Sequence, residues 1–282
     1  MTELGWPTEF AQAYVFDMDG TIYLGDELLP GAKRMIETLR EKEIPVRFLS
    51  NNPTKDPQQY VEKLAKLGLP TAIEDISNTV VTTRNWLLQN HPDAKLFVIG
   101  EEPLQRALRE AGFELTEDPE QIDVVVASYD RGFNYEKLQI AFDAIWFHRR
   151  AILIQTNPDR FCPFPGGRGE PDCAAITAAI EACTGVKCSA NLGKPSPIML
   201  ESSISDLDVE LSKCVMVGDR LQTDIQMAID CGMLSACVLT GEATLDDVAA
   251  RTPDQRPTWT LDRIDKLIPQ SVWEEKGWTE AD

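Results

Sequence analysis

Residues 13–21 read Ala13-Tyr14-Val15-Phe16-Asp17-Met18-Asp19-Gly20-Thr21. A short apolar run, long enough for one buried strand, ends abruptly in two carboxylates spaced i, i+2, with a glycine and a threonine behind them. In an open parallel sheet, functional groups gather in the crevice just beyond the carboxyl ends of the strands. Two acids at such a place, with Gly20 letting the backbone turn sharply, point to a metal and a reacting group. An acidic turn after an ordinary strand is the plainer alternative, because Asp is common in turns. The rest of the chain decides between them.

Downstream, Pro30-Gly31 opens a helix with Met35, Ile36 and Leu39 on one face, and Val46-Arg47-Phe48-Leu49 is a second strand. That strand also ends in polar residues, Ser50-Asn51-Asn52-Pro53-Thr54, before a helix from Asp56-Pro57 to Gly68. The first ~70 residues therefore read β-α-β-α, the pattern of parallel strands joined by crossover helices. Further strands are expected at Leu96–Ile99, Val124–Ala127, Ala151–Gln155, Cys214–Val217 and Ala236–Leu239. Helices are expected over 135–148, 172–183 and 224–231. Residues 160–171, rich in Pro and Gly, read as a loop. Past Pro269 the chain is polar and Trp-bearing.

Composition narrows the function classes. With 46 Asp and Glu against 27 Lys and Arg, the chain carries a formal charge of −19, which argues against nucleic acid or an anionic membrane as partner. Seven cysteines without a C-x-x-C pair make neither a disulfide framework nor a zinc site, and read as buried hydrophobes of a reducing, cytoplasmic setting. Only His91 and His148 are present, so histidine chemistry has almost no material. There is no Walker A run and no G-x-S-x-G elbow.

Three strand ends therefore hold the polar groups: Asp17 and Asp19, Ser50 and Asn51, Asp219 and Asp224, with Lys194 on a turn. If the strands are parallel neighbours, these groups share one crevice. Carboxylates suit Mg²⁺, a hard cation, while a hydroxyl, an amide and an ammonium suit phosphate oxygens. One remaining carboxylate can serve as nucleophile, as in aspartyl-phosphate enzymes.

The motifs resemble those of the haloacid dehalogenase (HAD) superfamily, specifically its NagD-like branch of phosphatases. D-x-D-G-T stands as Asp17-Met18-Asp19-Gly20-Thr21, the second motif as Ser50-Asn51-Asn52, and G-K-P as Gly193-Lys194-Pro195. The fourth runs from Gly218-Asp219-Arg220 to Thr223-Asp224-Ile225. Thr156-Asn157-Pro158-Asp159 matches T-N-P-D, and Asp130, Tyr135, Lys137 and Leu138 match D-x-x-x-x-Y-x-K-L.

The resemblance implies a doubly wound parallel α/β core, 1–81 with 187–282, carrying an inserted α/β cap of type C2 over 82–186. It implies Asp17 as the nucleophile and Asp19 as general acid, then base. Asp17, the backbone carbonyl of Asp19 and Asp219 would be the protein ligands of Mg²⁺, with Asp224 behind them. Capping the helix it begins is the alternative role of Asp224. Ser50, Asn51, Asn52 and Lys194 would clamp the phosphate. Asp130, Asn157 and Asp159 would read the rest of a small phosphorylated metabolite, although Asp130 suits a solvated turn as well. Asp19 favours a phosphatase over a dehalogenase, because a departing halide needs no proton. A phosphotransferase or mutase on the same core and a silent binding protein are the rival readings. A homodimer is compatible with such folds.

Overall fold

A computed structural model describes residues 6–164 and 168–280. The chain opens with β1 (Ala13–Asp17), a small ribbon of β2 (Tyr23–Leu24) and β3 (Glu27–Leu28), α1 (Ala32–Glu41), β4 (Val46–Ser50), α2 (Pro57–Lys66) and β5 (Ile76–Asn78). It continues through α3 (Thr79–Asn90), β6 (Leu96–Ile99), α4 (Glu102–Glu110), β7 (Val124–Ala127), α5 (Tyr135–Phe142) and β8 (Ile152–Gln155). Next come β9 (Phe161–Phe164), β10 (Arg168–Pro171), α6 (Cys173–Thr184), β11 (Ala190–Asn191) and α7 (Pro197–Ile204). The last elements are β12 (Cys214–Gly218), α8 (Gln226–Asp230), β13 (Leu234–Val238), α9 (Leu245–Ala249), β14 (Trp259–Leu261) and α10 (Gln270–Lys276).

The elements group into two units. The first holds the chain up to Ser50, Val61–Ile76 and everything from Ser203; the second holds Asn51–Tyr60 and Ser77–Ser202. Residues 82–186, expected as the insert, all lie in the second unit, which also takes in 51–60, 77–81 and 187–202.

The first unit is built on a sheet ordered β14-β13-β12-β1-β4-β5. Its central strand is β1, parallel to β12 on one side and to β4 on the other. From β1 the chain winds outward to β4 and β5, whereas β12, β13 and β14 run the opposite way. That reversal makes the carboxyl ends of β1 and its neighbours a topological switch point, where a doubly wound α/β sheet opens a crevice. The apolar run Ala13–Phe16 is fully buried, as a strand covered on both faces must be.

The second unit has its own parallel sheet, β11-β8-β7-β6. Alternate residues feed two cores: Phe97, Ile99, Val125 and Ala127 pack with Ile176 and Ile180, and Leu96, Val98, Val124 and Val126 with Leu104 and Leu108. Both faces are thus sealed, and the strands read as continuous apolar runs in sequence.

Three expectations change. Residues 160–171 are not a plain loop: β9 and β10 form an antiparallel hairpin, with Arg168 opposite Phe164 and Glu170 opposite Cys162. A two-stranded ribbon is all edge, so Pro and Gly are tolerated without losing ladder bonds inside a sheet. The helix expected over 135–148 is α-helical to Phe142 and then widens into a π turn over Asp143–Phe147. The helix expected from Asp224 is preceded by a π turn over Leu221–Ile225, so its regular part starts at Gln226. Past Pro269 the polar stretch folds as α10, with Trp273 buried.

One buried ion cluster secures the end of the chain. Arg263 grips both oxygens of Asp265 at 2.7 Å, and Arg34 reaches Oδ2 at 3.1 Å. Trp273 donates its indole N–H to the Asp265 carbonyl, and Arg34 lies over the Trp273 ring at 4.6 Å. Asp265 itself is fully buried. Removing one partner of such a cluster leaves buried charge uncompensated, so Asp265→Ala should cost about 3–5 kcal/mol of stability, measured by urea unfolding. A loss under about 1 kcal/mol would show that the cluster is no more than a solvated surface network.

Candidate active site

The sheet registers bring the acids together. Phe16 pairs with Val217 and Asp17 with Leu49, so the residues that close β12 and β4 flank the end of β1. One carboxylate oxygen each from Asp17, Asp219 and Asp224 lies within 4.8 Å of the others. Asp219 and Asp224 are buried, and Asp17 is half-buried.

The local backbone explains the convergence. The π turn carries Asp224 back toward the strand end, where its Oδ2 accepts the Arg220 N–H at 3.1 Å. Its carboxylate therefore serves the start of the turn and does not cap the helix that follows. Asp219 Oδ2 accepts the Glu242 N–H at 2.7 Å, and the Asp219 carbonyl accepts the Ala243 N–H. Thr240 donates to the Gly20 carbonyl at 2.7 Å, tying the loop after β13 to the loop after β1. Glycines make the room: Gly20 sits at φ +84°, and a Cβ there would stand 2.5 Å from Asp219 Oδ2. At Gly218 a Cβ would overlap the Asp224 carboxyl, and at Gly241 that of Asp219.

Three carboxylates so close, two of them out of water, repel strongly; a like-charged pair at 4 Å costs about 4 kcal/mol at an effective dielectric constant of 20. Their field also reaches Cys237, whose thiol burial pushes up to about 12 with the help of Asp224 and Asp219. Hard oxygen donors in a tight, glycine-walled cradle are the donor set of a small divalent cation. The residues present fit such an ion.

The Asp19 side chain is not part of this trio. It is exposed and accepts the Tyr23 hydroxyl at 3.4 Å. Tyr23 is buried, with the Lys63 ammonium 3.6 Å from its ring centroid. Ser50, also buried, ends β4 next to β1 in the same unit. Arg220, beside Asp219, pairs with Glu242 at 3.1 Å.

The second unit gathers the other expected residues. Asn51, Asn157, Asp159 and Lys194 form a hydrogen-bonded group in which the Asn51 amide touches both Lys194 and Asp159. Lys194 is 3 % exposed, and its bond to Pro195 is cis. The Asn52 side-chain carbonyl accepts from Thr54, closing a local turn. Asp130 belongs to a different group: its carboxylate is held by Lys137 at 2.5 Å and by the Gly132 N–H at 2.8 Å. Beside it, Arg131 stacks on Tyr129 and pairs with Glu170 of β10. The Tyr129 hydroxyl first, then Arg131, holds the Glu170 carboxyl below the usual range, so the hairpin is pinned to the loop after β7.

Comparison with known proteins shows the family. Residues 14–114 match the family model described as haloacid dehalogenase-like hydrolase, and residues 191–267 match a HAD-hydrolase-like one. An acid sugar phosphatase of Staphylococcus aureus is 35 % identical over 260 residues, 92 % of this chain and 97 % of that protein. The chain belongs to the HAD superfamily, in its NagD-like branch. The solved 4-nitrophenylphosphatase of Thermotoga maritima superposes with a TM-score of 0.84 at 32 % identity, over 91 % of this chain and 96 % of that one. NagD from Escherichia coli K-12 gives 0.80 at 27 % identity, over 91 % and 98 %. The HAD core and α/β cap expected from the motifs are those of this fold, and the protein is a HAD-type phosphatase. Among the described residues, no helix is long and apolar enough to cross a membrane.

The HAD motifs did not mark Gly241 or Thr240. The only sequence signal was a Thr-Gly pair straight after an apolar strand, which is common wherever a loop begins.

Proposed function

We propose that this phosphatase hydrolyses small phosphate monoesters, phosphorylated sugars foremost, with Mg²⁺ as its metal and through an aspartyl-phosphate on Asp17. The observation that carries the reading is the Asp17, Asp219 and Asp224 oxygen cluster at the switch point of the sheet. The sugar-phosphate class is supported by the name of the Staphylococcus aureus relative, and p-nitrophenyl phosphate as a test substrate by that of the Thermotoga maritima one.

Asp17, Asp219 and Asp224 would hold the ion together with the main-chain carbonyl of Asp19. When bound, Mg²⁺ supplies charge neutralisation for the acids and for the phosphate oxygens. An Asp17 oxygen forms the new bond to phosphorus as the bond to the ester oxygen breaks. Asp19 delivers its proton to the departing alkoxide, then takes a proton from the water that attacks phosphorus and frees Asp17. Ser50 holds a phosphate oxygen through its hydroxyl, and the HAD motifs assign Lys194 to the phosphate as a cation.

Asp19→Asn separates the two roles by leaving group. A sugar alkoxide needs the proton, so turnover of a sugar phosphate should fall by about 10²–10⁴-fold. Nitrophenolate leaves without one, so its release in the first turnover should be far less affected. Equal losses of the first-turnover rate on both substrates, read by rapid quench, would remove Asp19 as the acid. A panel of sugar phosphates, nucleoside monophosphates and phosphoglycolate with Mg²⁺ tests the substrate class. Turnover highest on the sugar esters supports it, preference for another class overturns it, and no turnover favours a silent binder.

A further inference from the structure

We propose that Asn51 is a positioning residue that holds Lys194, and that its side chain does not itself contact the phosphate; the inference rests on Lys194 clamping phosphate as argued above. Asn51 and Lys194 are 143 residues apart in sequence, yet the Asn51 amide grips the Lys194 main chain from both sides. Oδ1 accepts the Lys194 N–H at 2.8 Å, and Nδ2 donates to the Lys194 carbonyl at 3.1 Å. The pair reproduces with a side chain the two-way exchange of a strand ladder. The second Nδ2 hydrogen goes to Asp159 Oδ2 at 3.0 Å.

A carboxamide has two N–H donors. Both are used, so none remains for a phosphate oxygen. On this proposal the Asn51 side chain positions Lys194 in place of gripping the phosphate itself.

The amide is itself held. The Asn51 carbonyl accepts Thr79 Oγ1 at 3.1 Å and Asn157 Nδ2 at 3.3 Å, and Asn157 Oδ1 accepts the Asp159 N–H at 3.0 Å. Asn157 is fully buried. Gly193 completes the fit: a Cβ there would stand 2.8 Å from Asn51 Oδ1 and 2.9 Å from the Asn157 Cβ. Three motifs far apart in sequence, Ser50-Asn51-Asn52, Thr156-Asn157-Pro158-Asp159 and Gly193-Lys194-Pro195, thus close on one amide.

The physical need is plain. A lysine is a point charge on a flexible four-carbon stem and loses much rotamer freedom when held still. Anchoring its main chain removes one source of that freedom before substrate arrives. Misplacing a reacting or clamping group by about 1 Å can cost on the order of 10²-fold in rate.

The test combines amide exchange at Lys194 with a double-mutant cycle. Asn51→Ala removes the acceptor of the Lys194 N–H, so exchange in the peptide spanning Gly193-Lys194-Pro195 should accelerate about tenfold or more while other peptides keep their protection. Its kcat/KM on p-nitrophenyl phosphate with Mg²⁺ should fall about ten- to a hundredfold. In a Lys194→Ala background the same substitution should cost less than about twofold, because a residue acting through another has nothing left to act on. Asn51→Leu, close in volume and with neither acceptor nor donor, should lose the exchange protection as well, which covers the case in which Asn51→Ala does not fold.

Unchanged Lys194 exchange in a folded Asn51→Ala or Asn51→Leu overturns the clamp. Faster exchange with undiminished kcat/KM overturns its importance for the reaction. Equal losses in the two backgrounds would mean that Asn51 meets the substrate directly. Full activity of Lys194→Ala would instead overturn the phosphate-clamp reading beneath the proposal.

Discussion

Asp17→Asn is expected to lower phosphatase turnover by about a thousandfold or more, the usual scale when a nucleophile is lost. The substitution is nearly isosteric, so β1 and its register with β4 and β12 should persist, and the melting curve should stay cooperative. The amide nitrogen cannot attack phosphorus, and its neutral oxygen is a poorer ligand for a cation. Nucleophile and metal ligand are therefore lost together. Kinetics at saturating Mg²⁺ separate the two, because excess metal restores a weakened site but cannot restore a missing nucleophile. Recovery to within tenfold of the unaltered protein at high Mg²⁺ would show that phosphorus is attacked by something other than Asp17.

Asp219→Asn should act on the same trio in a different way. Asp219 is buried, and its Oδ2 already accepts the Glu242 N–H, a bond that an amide oxygen can keep. What disappears is one of three mutually repelling charges. Without metal, relief of that repulsion should stabilise the fold, by about 2–4 °C for each 1 kcal/mol gained in a chain of this size class. With Mg²⁺ the balance reverses, because the ligand that the repulsion served is gone, and affinity should fall by about a hundredfold or more. Thermal melts in EDTA and across a Mg²⁺ titration read both effects. A variant that melts lower in EDTA, or that gains as much from Mg²⁺ as the unaltered protein, would contradict a shared ion at these acids.

Much of this site was legible in the sequence because a doubly wound sheet writes its function at strand ends. Tyr14–Phe16 and Val215–Val217 are uninterrupted apolar runs, and each breaks into acids at the point where the strand leaves the core. That they are parallel neighbours was only a condition in the sequence and is supplied by the sheet order. Other features left no such trace. The strands Ile76–Asn78 and Trp259–Leu261 are only three residues long and carry no usable period. The hairpin of β9 and β10 is written in residues that ordinarily signal loops, and its anchor, Glu170 on Tyr129 and Arg131, depends on pairings some forty residues away.

Asp224 illustrates the limit from the other side. An Asp at the head of a helix is a common cap, and nothing in its neighbours says otherwise. Only the π turn, which inserts one extra residue before α8, swings its carboxylate back to the strand end and beside Asp17. Asn51 shows the same limit more sharply, since its sequence neighbours are those of a phosphate loop while its amide is committed to Lys194 and Asp159.

The most direct measurement of phosphoryl transfer through Asp17 is a rapid-quench experiment on Asp19→Asn with p-nitrophenyl phosphate and Mg²⁺. The first transfer needs no proton from residue 19, whereas hydrolysis of the intermediate does. A burst of one nitrophenolate per chain is therefore predicted, with the mass of a phosphoryl group recovered on the peptide that carries Asp17. Turnover with no burst, or a phosphoryl group recovered on any other residue, would contradict it.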